Sequence, residues 1–353
     1  MVIFLIVILL LAALLEYLSL RVGLSCVDAD FVLSKMRTEP DEPVELTVQI
    51  GNTGRLPITY GAYSLSFPLS ASLPDGIDLR NERDHIAVRD VFRLWGRRSV
   101  ARSLRFSLAR RGVYTVAGRE LVRGDFLGIQ LTSERFDTRR TVLVYPRRLE
   151  SSALNQALGS YSGLLSAERW LIRDPVLTLS VREYTGREPM REISWSQTAR
   201  RGALTVREFD CTRSLDCRVL LSVHGLTGAD EELLDRCCGA VRTICEALLE
   251  AGVEAQLHTN AALTGFARRP FRTVTSAQGQ EEDLLEVLAR VIPVACSDAC
   301  ALAEACLDSL TGAAACVLVV PHDDEEARAA LALLNERSGM GALLVAVDTL
   351  EEA

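Results

Sequence analysis

The sequence predicts an α+β multidomain chain in which an N-terminal transmembrane helix precedes a β-sandwich and then an α/β doubly wound unit. Three observations predict it. Residues 2–15 are unbroken apolar, residues 26–148 carry short alternating runs separated by turn formers, and from Cys217 onward helical periods alternate with short apolar strands. At 353 residues the chain is long enough to bury two cores.

The first element is a membrane anchor over 1–21. Glu16 interrupts the apolar run before Tyr17, Leu18 and Leu20, so a span of ~20 residues is reached when Glu16 sits near an interface. A basic n-region and an Ala-x-Ala-like site are both missing, which favours a retained single-pass anchor over a cleaved signal peptide. Arg21, Lys35 and Arg37 follow it, which places the body on the cytoplasmic side of the cell membrane.

The β-sandwich covers 26–148. In VELTVQI at 44–50, Val44, Leu46, Val48 and Ile50 face one way and Glu45, Thr47 and Gln49 the other, as a strand with one solvated face requires. Similar runs occur at 63–67, 103–109 and 141–146. Residues 149–176 read as a linker with a short helix near 167–172. A charged segment over 177–214 follows, and 215–353 forms the α/β unit. There, 218–223 is a buried strand. Residues 230–251 are an amphipathic helix with Leu233, Leu234, Cys237, Cys238, Val241, Ile244, Cys245, Leu248 and Leu249 at helical spacing, stopped by Gly252. Strands at 253–258, 316–320 and 342–347, with helices at 281–292, 298–310 and 323–337, imply a parallel sheet covered on both faces.

Charge is uneven along the chain. Net charge is −8, yet residues 216–353 hold 9 basic and 23 acidic side chains, whereas 21–215 hold 30 basic and 23 acidic. Lys35 is the only lysine, and no concentrated basic face or motif points to nucleic acid. The ten cysteines lack metal-ligand spacing and read as buried thiols in a reduced protein.

The most informative stretch is REYTGREPMREISWSQTARRGALTVREF at 182–209, where arginine and glutamate alternate around Trp195, with Gly186 and Gly202 as turn formers. It resembles the signature of the bacterial family known as domain of unknown function 58. Arg182, Tyr184, Gly186, Arg191, Ile193, Trp195, Ala199, Arg200 and Glu208 stand at matching positions, but Arg187 replaces the family's aspartate. The resemblance extends upstream through GNTGRLPI at 51–58, RRGVY at 110–114, GDFLG at 124–128 and VYP at 144–146. It implies a membrane-anchored protein whose α/β unit is a von Willebrand factor A-like domain, and a link to MoxR-type AAA+ ATPases.

The function expected is therefore a membrane-anchored, non-enzymatic adaptor or scaffold for a protein partner; the resemblance suggests a MoxR-type AAA+ ATPase. Arg182, Tyr184, Gly186, Arg191, Trp195, Arg200 and Glu208 are the candidate partner-binding or signature residues. Two readings of Trp195 stand open: a core anchor, or a part-exposed hot spot beside Arg191 and Arg200. Glu183 and Glu192 read as ion-pair partners for neighbouring arginines rather than as paired acids. No cofactor, metal or catalytic residue is expected. A rival reading, a divalent-metal-dependent adhesion module, needs Asp-x-Ser-x-Ser after the first α/β strand, where this chain has Ser222, Val223, His224, Gly225 and Leu226. A second rival is a hydrolase using His224 as base and Cys211 or Cys217 as nucleophile, for which no local signature is present.

Overall fold

The computed structural model describes residues 2–22, 26–74, 76–124, 130–171, 178–186, 189–209, 216–276, 281–310 and 312–351. Two units divide the chain, one of Met1–Arg147 with Leu288–Arg290, the other of Arg148–Val287 with Val291–Ala353.

In the first unit the helix α1 (Val2–Val22) precedes strands β1 (Val27–Leu33), β2 (Arg37–Thr38), β3 (Val44–Asn52), β4 (Ile58–Phe67), β5 (Ala71–Ser72), β6 (Asp78–Asn81), β7 (Ile86–Leu94), β8 (Ser99–Leu108), β9 (Gly112–Gly124), β10 (Leu131–Arg135) and β11 (Arg139–Val144). They form a four-stranded sheet, β1-β3-β8-β5, and a seven-stranded sheet, β2-β11-β9-β4-β7-β6 with β10 on β9. Strand alternation makes the core: Val44, Leu46, Val48 and Ile50 of β3 are buried, and they share one cluster with Leu65, Phe67, Val116, Val142 and Val144 from the other sheet. Phe67 of β4 meets Phe106 of β8 edge to face at 5.2 Å, an aromatic contact between the sheets.

Three of the upstream sequence motifs are structural devices. Asn52 is buried, donates to the Leu56 (2.8 Å) and Trp95 (3.3 Å) carbonyls, and accepts from Gly54 N–H at 3.0 Å, pinning one loop to the next. Gly96 lies so close to this knot that a Cβ there would come within 2.2 Å of the Arg55 carbonyl oxygen. Tyr114 donates its hydroxyl to the Arg110 carbonyl at 3.0 Å, and 144–146 closes β11. Of the fourth motif, residues 125–128 lie outside the described residues.

The second unit contains α2 (Ser152–Leu171), β12 (Thr178–Glu183), α3 (Trp195–Arg201), β13 (Thr205–Phe209), β14 (Asp216–Leu221), α4 (Glu231–Glu250), β15 (Glu254–Thr259), β16 (Ala261–Leu263), β17 (Arg272–Ser276), α5 (Glu281–Arg290), β18 (Val291–Ala295), α6 (Ala299–Asp308), β19 (Ala314–Val320), α7 (Glu325–Arg337) and β20 (Gly339–Ala346); α5 also supplies the residues that group with the first unit. The central sheet runs β17-β15-β14-β19-β20, parallel except for β17, which is antiparallel to β15. The helix α4 buries Leu234, Cys237, Cys238, Val241, Ile244, Cys245 and Leu248, the stripe its sequence spacing defines.

The expected fold class is corrected on two counts. Among the described residues no helix is long and apolar enough to cross a membrane. The helix α1 forms over Val2–Val22, and the transmembrane part of the expected fold class is corrected on that finding. The von Willebrand A-like, doubly wound assignment is corrected too: strand exceeds helix, 42% against 29%, and the central sheet is mixed, with β17 antiparallel at one edge. Antiparallel ladders missed in the sequence account for part of this strand: β12 with β13, β15 with β17, and β16 with β18 through Ala261↔Ala295. These runs are too short for a period to show, and their partners are distant in sequence.

The expected linker differs as well. Most of it is the helix α2, which buries Leu154, Leu158 and Tyr161 at i, i+4 and i+7. Its serine and glycine content masked that stripe. Tyr161 then takes the backbone of Cys316 on both sides, accepting from its N–H and donating to its carbonyl, each at 3.0 Å.

Two outcomes follow from the first unit. Phe67→Ala removes the ring between the two sheets and should destabilise the sandwich by ~3–5 kcal/mol, measured by urea unfolding. Glu42 accepts from Lys35 first, then from Glu39 N–H and the Thr38 hydroxyl, and these donors hold its carboxyl down to about 2. Because the folded value lies below the unfolded one, the stabilisation is complete above about pH 4.3 and is lost as pH falls through about 2. Lys35→Ala should raise the Glu42 titration midpoint toward that ordinary value in a carboxyl NMR titration.

Candidate functional site

The signature segment is a self-contained module. The strands β12 and β13 pair antiparallel through Ser180↔Glu208, Val181↔Arg207, Arg182↔Val206 and Glu183↔Thr205. Between them run a 3-10 turn, Met190–Glu192, and the helix α3. The insert folds back onto its own ladder: Ile193 bridges to Val206, Ser194 N–H donates to the Thr205 carbonyl at 2.9 Å, and Thr205 N–H donates to the Thr198 hydroxyl at 3.1 Å. Gly202 ends α3 at φ 70°, in the left-handed region, and returns its N–H to the Thr198 carbonyl.

This geometry decides where the candidate residues stand. Ile193, Ser194, Thr205 and Val206 are buried, whereas Arg182 and Arg200 are exposed and Tyr184 is half-buried. Tyr184 N–H donates to the Leu204 carbonyl at 2.9 Å, closing the neck of the insert. Gly186 adopts φ 88° in a bend, Arg191 belongs to the 3-10 turn, and Glu208 to β13. Arg187 lies outside the described residues. Trp195, the first residue of α3, is 60% exposed, so the core-anchor reading is corrected. Ile193 and Val206 fill that role; they are the β-branched apolar residues in an otherwise charged block, the signal that the sequence reading passed over. Met190 and Leu204 are also exposed.

At the carboxyl edge of the central sheet, where α/β folds place ligands, side chains satisfy one another. Asn260 is fully buried; its Oδ1 accepts from Val223 N–H at 3.0 Å, and its Nδ2 donates to the Ser222 hydroxyl at 3.2 Å and the Ser297 carbonyl at 2.8 Å. His224 Nε2 meets Glu326 Oε2 at 2.7 Å, and the other Glu326 oxygen accepts Ala299 N–H at 2.6 Å. His322 Nδ1 meets Asp348 Oδ2 at 2.9 Å. Asp324 caps α7, while Asp323 pairs with Arg328, whose guanidinium holds its carboxyl low. Asn260 was not singled out from sequence; a lone asparagine at a strand end carries no periodic signal.

Among the described residues no group of three or more His, Cys, Asp or Glu is placed to hold a metal ion. Of the nucleophile candidates, Cys217 is buried within β14 and Cys211 lies outside the described residues. Near the His224–Glu326 pair, Cys300 has its thiol pushed up, first by burial and then by Asp298, Glu326 and Glu304, which opposes the lowered pKa a nucleophilic thiol requires. In the first unit, an open cavity of about 420 Å³ on the seven-stranded sheet is lined by Arg80, Arg89, Arg119 and Arg135 with Glu82, Glu120 and Glu134. Arg119 bonds Glu82 at 2.8 Å and holds its carboxyl low.

No family model matches the chain. A protein of Bacillus subtilis strain 168 described as "Uncharacterized protein YeaD" is 26% identical over 162 residues, 44% of this chain; the chain spans 40% of that relative's length. Among solved structures, a cohesin module from a Clostridium perfringens family 33 glycoside hydrolase is similar at a TM-score of 0.27 and 8% identity, over 34% of this chain and 96% of that one. A non-cellulosomal cohesin from Archaeoglobus fulgidus is similar at 0.25 and 15% identity, over 33% and 91%.

The buried and exposed residues of the module separate in their expected effects. Ile193→Ala should speed amide hydrogen exchange at Tyr184 and Thr205 by loosening the insert from its ladder. Trp195→Ala should leave exchange at those amides unchanged and alter unfolding free energy by no more than about 0.5 kcal/mol.

Proposed function

We propose that this chain is a non-enzymatic adaptor that binds a protein partner through the module between β12 and β13. The observation that carries this is Trp195, exposed on the first turn of α3 while Ser194 and Ile193 immediately before it are buried. The buried ladder fixes the backbone that presents the indole. Burying it against a partner then gains apolar transfer energy at a small further entropic cost. Arg200, on the same short helix, and Arg182, in the ladder, are both exposed and supply the residue type that accompanies such aromatic anchors.

The finer reading, taken from the sequence resemblance, is a MoxR-type AAA+ ATPase as the partner. The acid-rich 216–353 segment suits a basic surface, with complementarity that sets encounter rate more than affinity. Binding is tested by titrating purified full-length chain against a purified MoxR-type ATPase, with Trp195→Ala and Arg191→Ala variants shown to be folded. A loss of tenfold or more in affinity for Trp195→Ala, ~1.4 kcal/mol, is expected. Association should also slow as salt brings the Debye length below ~10 Å. A folded Trp195→Ala chain that binds as tightly as its parent sinks the assignment of the contact to α3.

A further inference from the structure

We propose that the open cavity on the seven-stranded sheet of the first unit binds a phosphomonoester, a compact dianion held by arginines that arrive from four strands. Strand register builds its floor. Ser64 of β4 lies opposite Arg89 of β7 on one side and Glu120 of β9 on the other, and Glu120 in turn lies opposite Arg135 of β10. Alternation puts these four side chains on the outer face of the sheet, because their chain neighbours Tyr63, Val88 and Leu121 belong to the core. Ala62 and Ala87 share that face with Ser64, and these small side chains floor the hollow of about 420 Å³.

An irregularity in the ladder brings in Arg119. Ser64 pairs with Glu120 but Leu65 with Gly118, so Arg119 is an extra residue in β9. A bulge of this kind re-aims a side chain, and here Arg119 lines the cavity together with Glu120. The bend needs glycine before it, since a Cβ on Gly118 would come within 2.4 Å of the Phe136 carbonyl oxygen. Arg119 bonds Glu82 at 2.8 Å and contacts His85 Nε2, while Arg89 donates to the Tyr60 hydroxyl at 3.2 Å. Two guanidiniums are thereby held in place before any ligand arrives.

Charge selects the ligand. Glu134 lies opposite Leu121, a core residue, so its side chain leaves on the other face of β10. On the cavity side the guanidiniums of Arg80, Arg89, Arg119 and Arg135 stand against the carboxylates of Glu82 and Glu120, an excess of two positive charges. Arg80 and Arg135 are exposed and make no hydrogen bond or ion pair among the described residues. Guanidinium forks match phosphate oxygens, and a phosphomonoester carries close to two negative charges at neutral pH. Its tetrahedral oxygens can meet donors from several sides at once, whereas a carboxylate offers two oxygens in one plane and a single charge. A free small ester and a phosphorylated peptide side chain both present this group.

The test titrates the full chain by calorimetry, at one ionic strength, with phenyl phosphate, with a capped Gly-phosphoserine-Gly peptide and with malonate. Binding of a phosphate probe is expected, and the double variant Arg80→Gln, Arg135→Gln should weaken it by about tenfold or more through the loss of charged hydrogen bonds. Far-UV circular dichroism checks that this variant is folded. Removing the facing carboxylate in Glu120→Gln should tighten binding, and Glu134→Gln, on the opposite face, should leave it unchanged. Tighter binding of phenyl phosphate assigns the site to a free ester, and tighter binding of the peptide to a phosphorylated side chain. Malonate bound as tightly as the better phosphate probe, binding indifferent to the double variant, or no binding of either phosphate probe overturns the proposal.

Discussion

The second unit depends on the burial of β14 from Cys217 onward. It is hydrogen-bonded to parallel strands on both edges, and residues 217–223 are buried without a break. A strand in that position has no water for its backbone, so every polar group at its exit must find a partner in the protein. Asn260 and the hydroxyl of Ser222 supply those partners, and Ser222 N–H donates to the Val319 carbonyl at 3.0 Å. The edge that α/β proteins often leave open to a ligand is here closed by amide and hydroxyl groups. That closure directs attention to the exposed module between β12 and β13.

The legible parts of the fold were those whose pattern is local. The alternation in β3 is visible because one face of that strand is core, and the stripe of α4 because a whole helix face is buried. The illegible parts depended on distant partners. No feature of 261–263 or 291–295 announces that these runs pair with each other, and the stripe of α2 hides among serine and glycine. Composition misled at the N-terminus, where an apolar run suggested a membrane span that no described helix supplies.

The candidate site was legible as a segment but not as an arrangement. Arginine, glycine and tryptophan spacing singled out 182–209, and its backbone does fold as one module. Which apolar residue would be buried was not available from spacing, because Ile193 is extended and Trp195 opens a helix two residues later. That change of backbone period within three residues turns the larger side chain outward. Two positions of interest to the sequence reading, Arg187 and Cys211, lie outside the described residues.

The neck of the module has a consequence for how this chain diversifies. Tyr184 and Leu204 are joined by one backbone hydrogen bond, so the residues between them leave and re-enter the ladder at one point. An insert whose ends already meet imposes almost no closure requirement on its contents. Its exposed positions are free to drift while Ile193, Ser194 and Thr198 keep their contacts with the ladder, and an insert that retains those three inherits a ready-made frame.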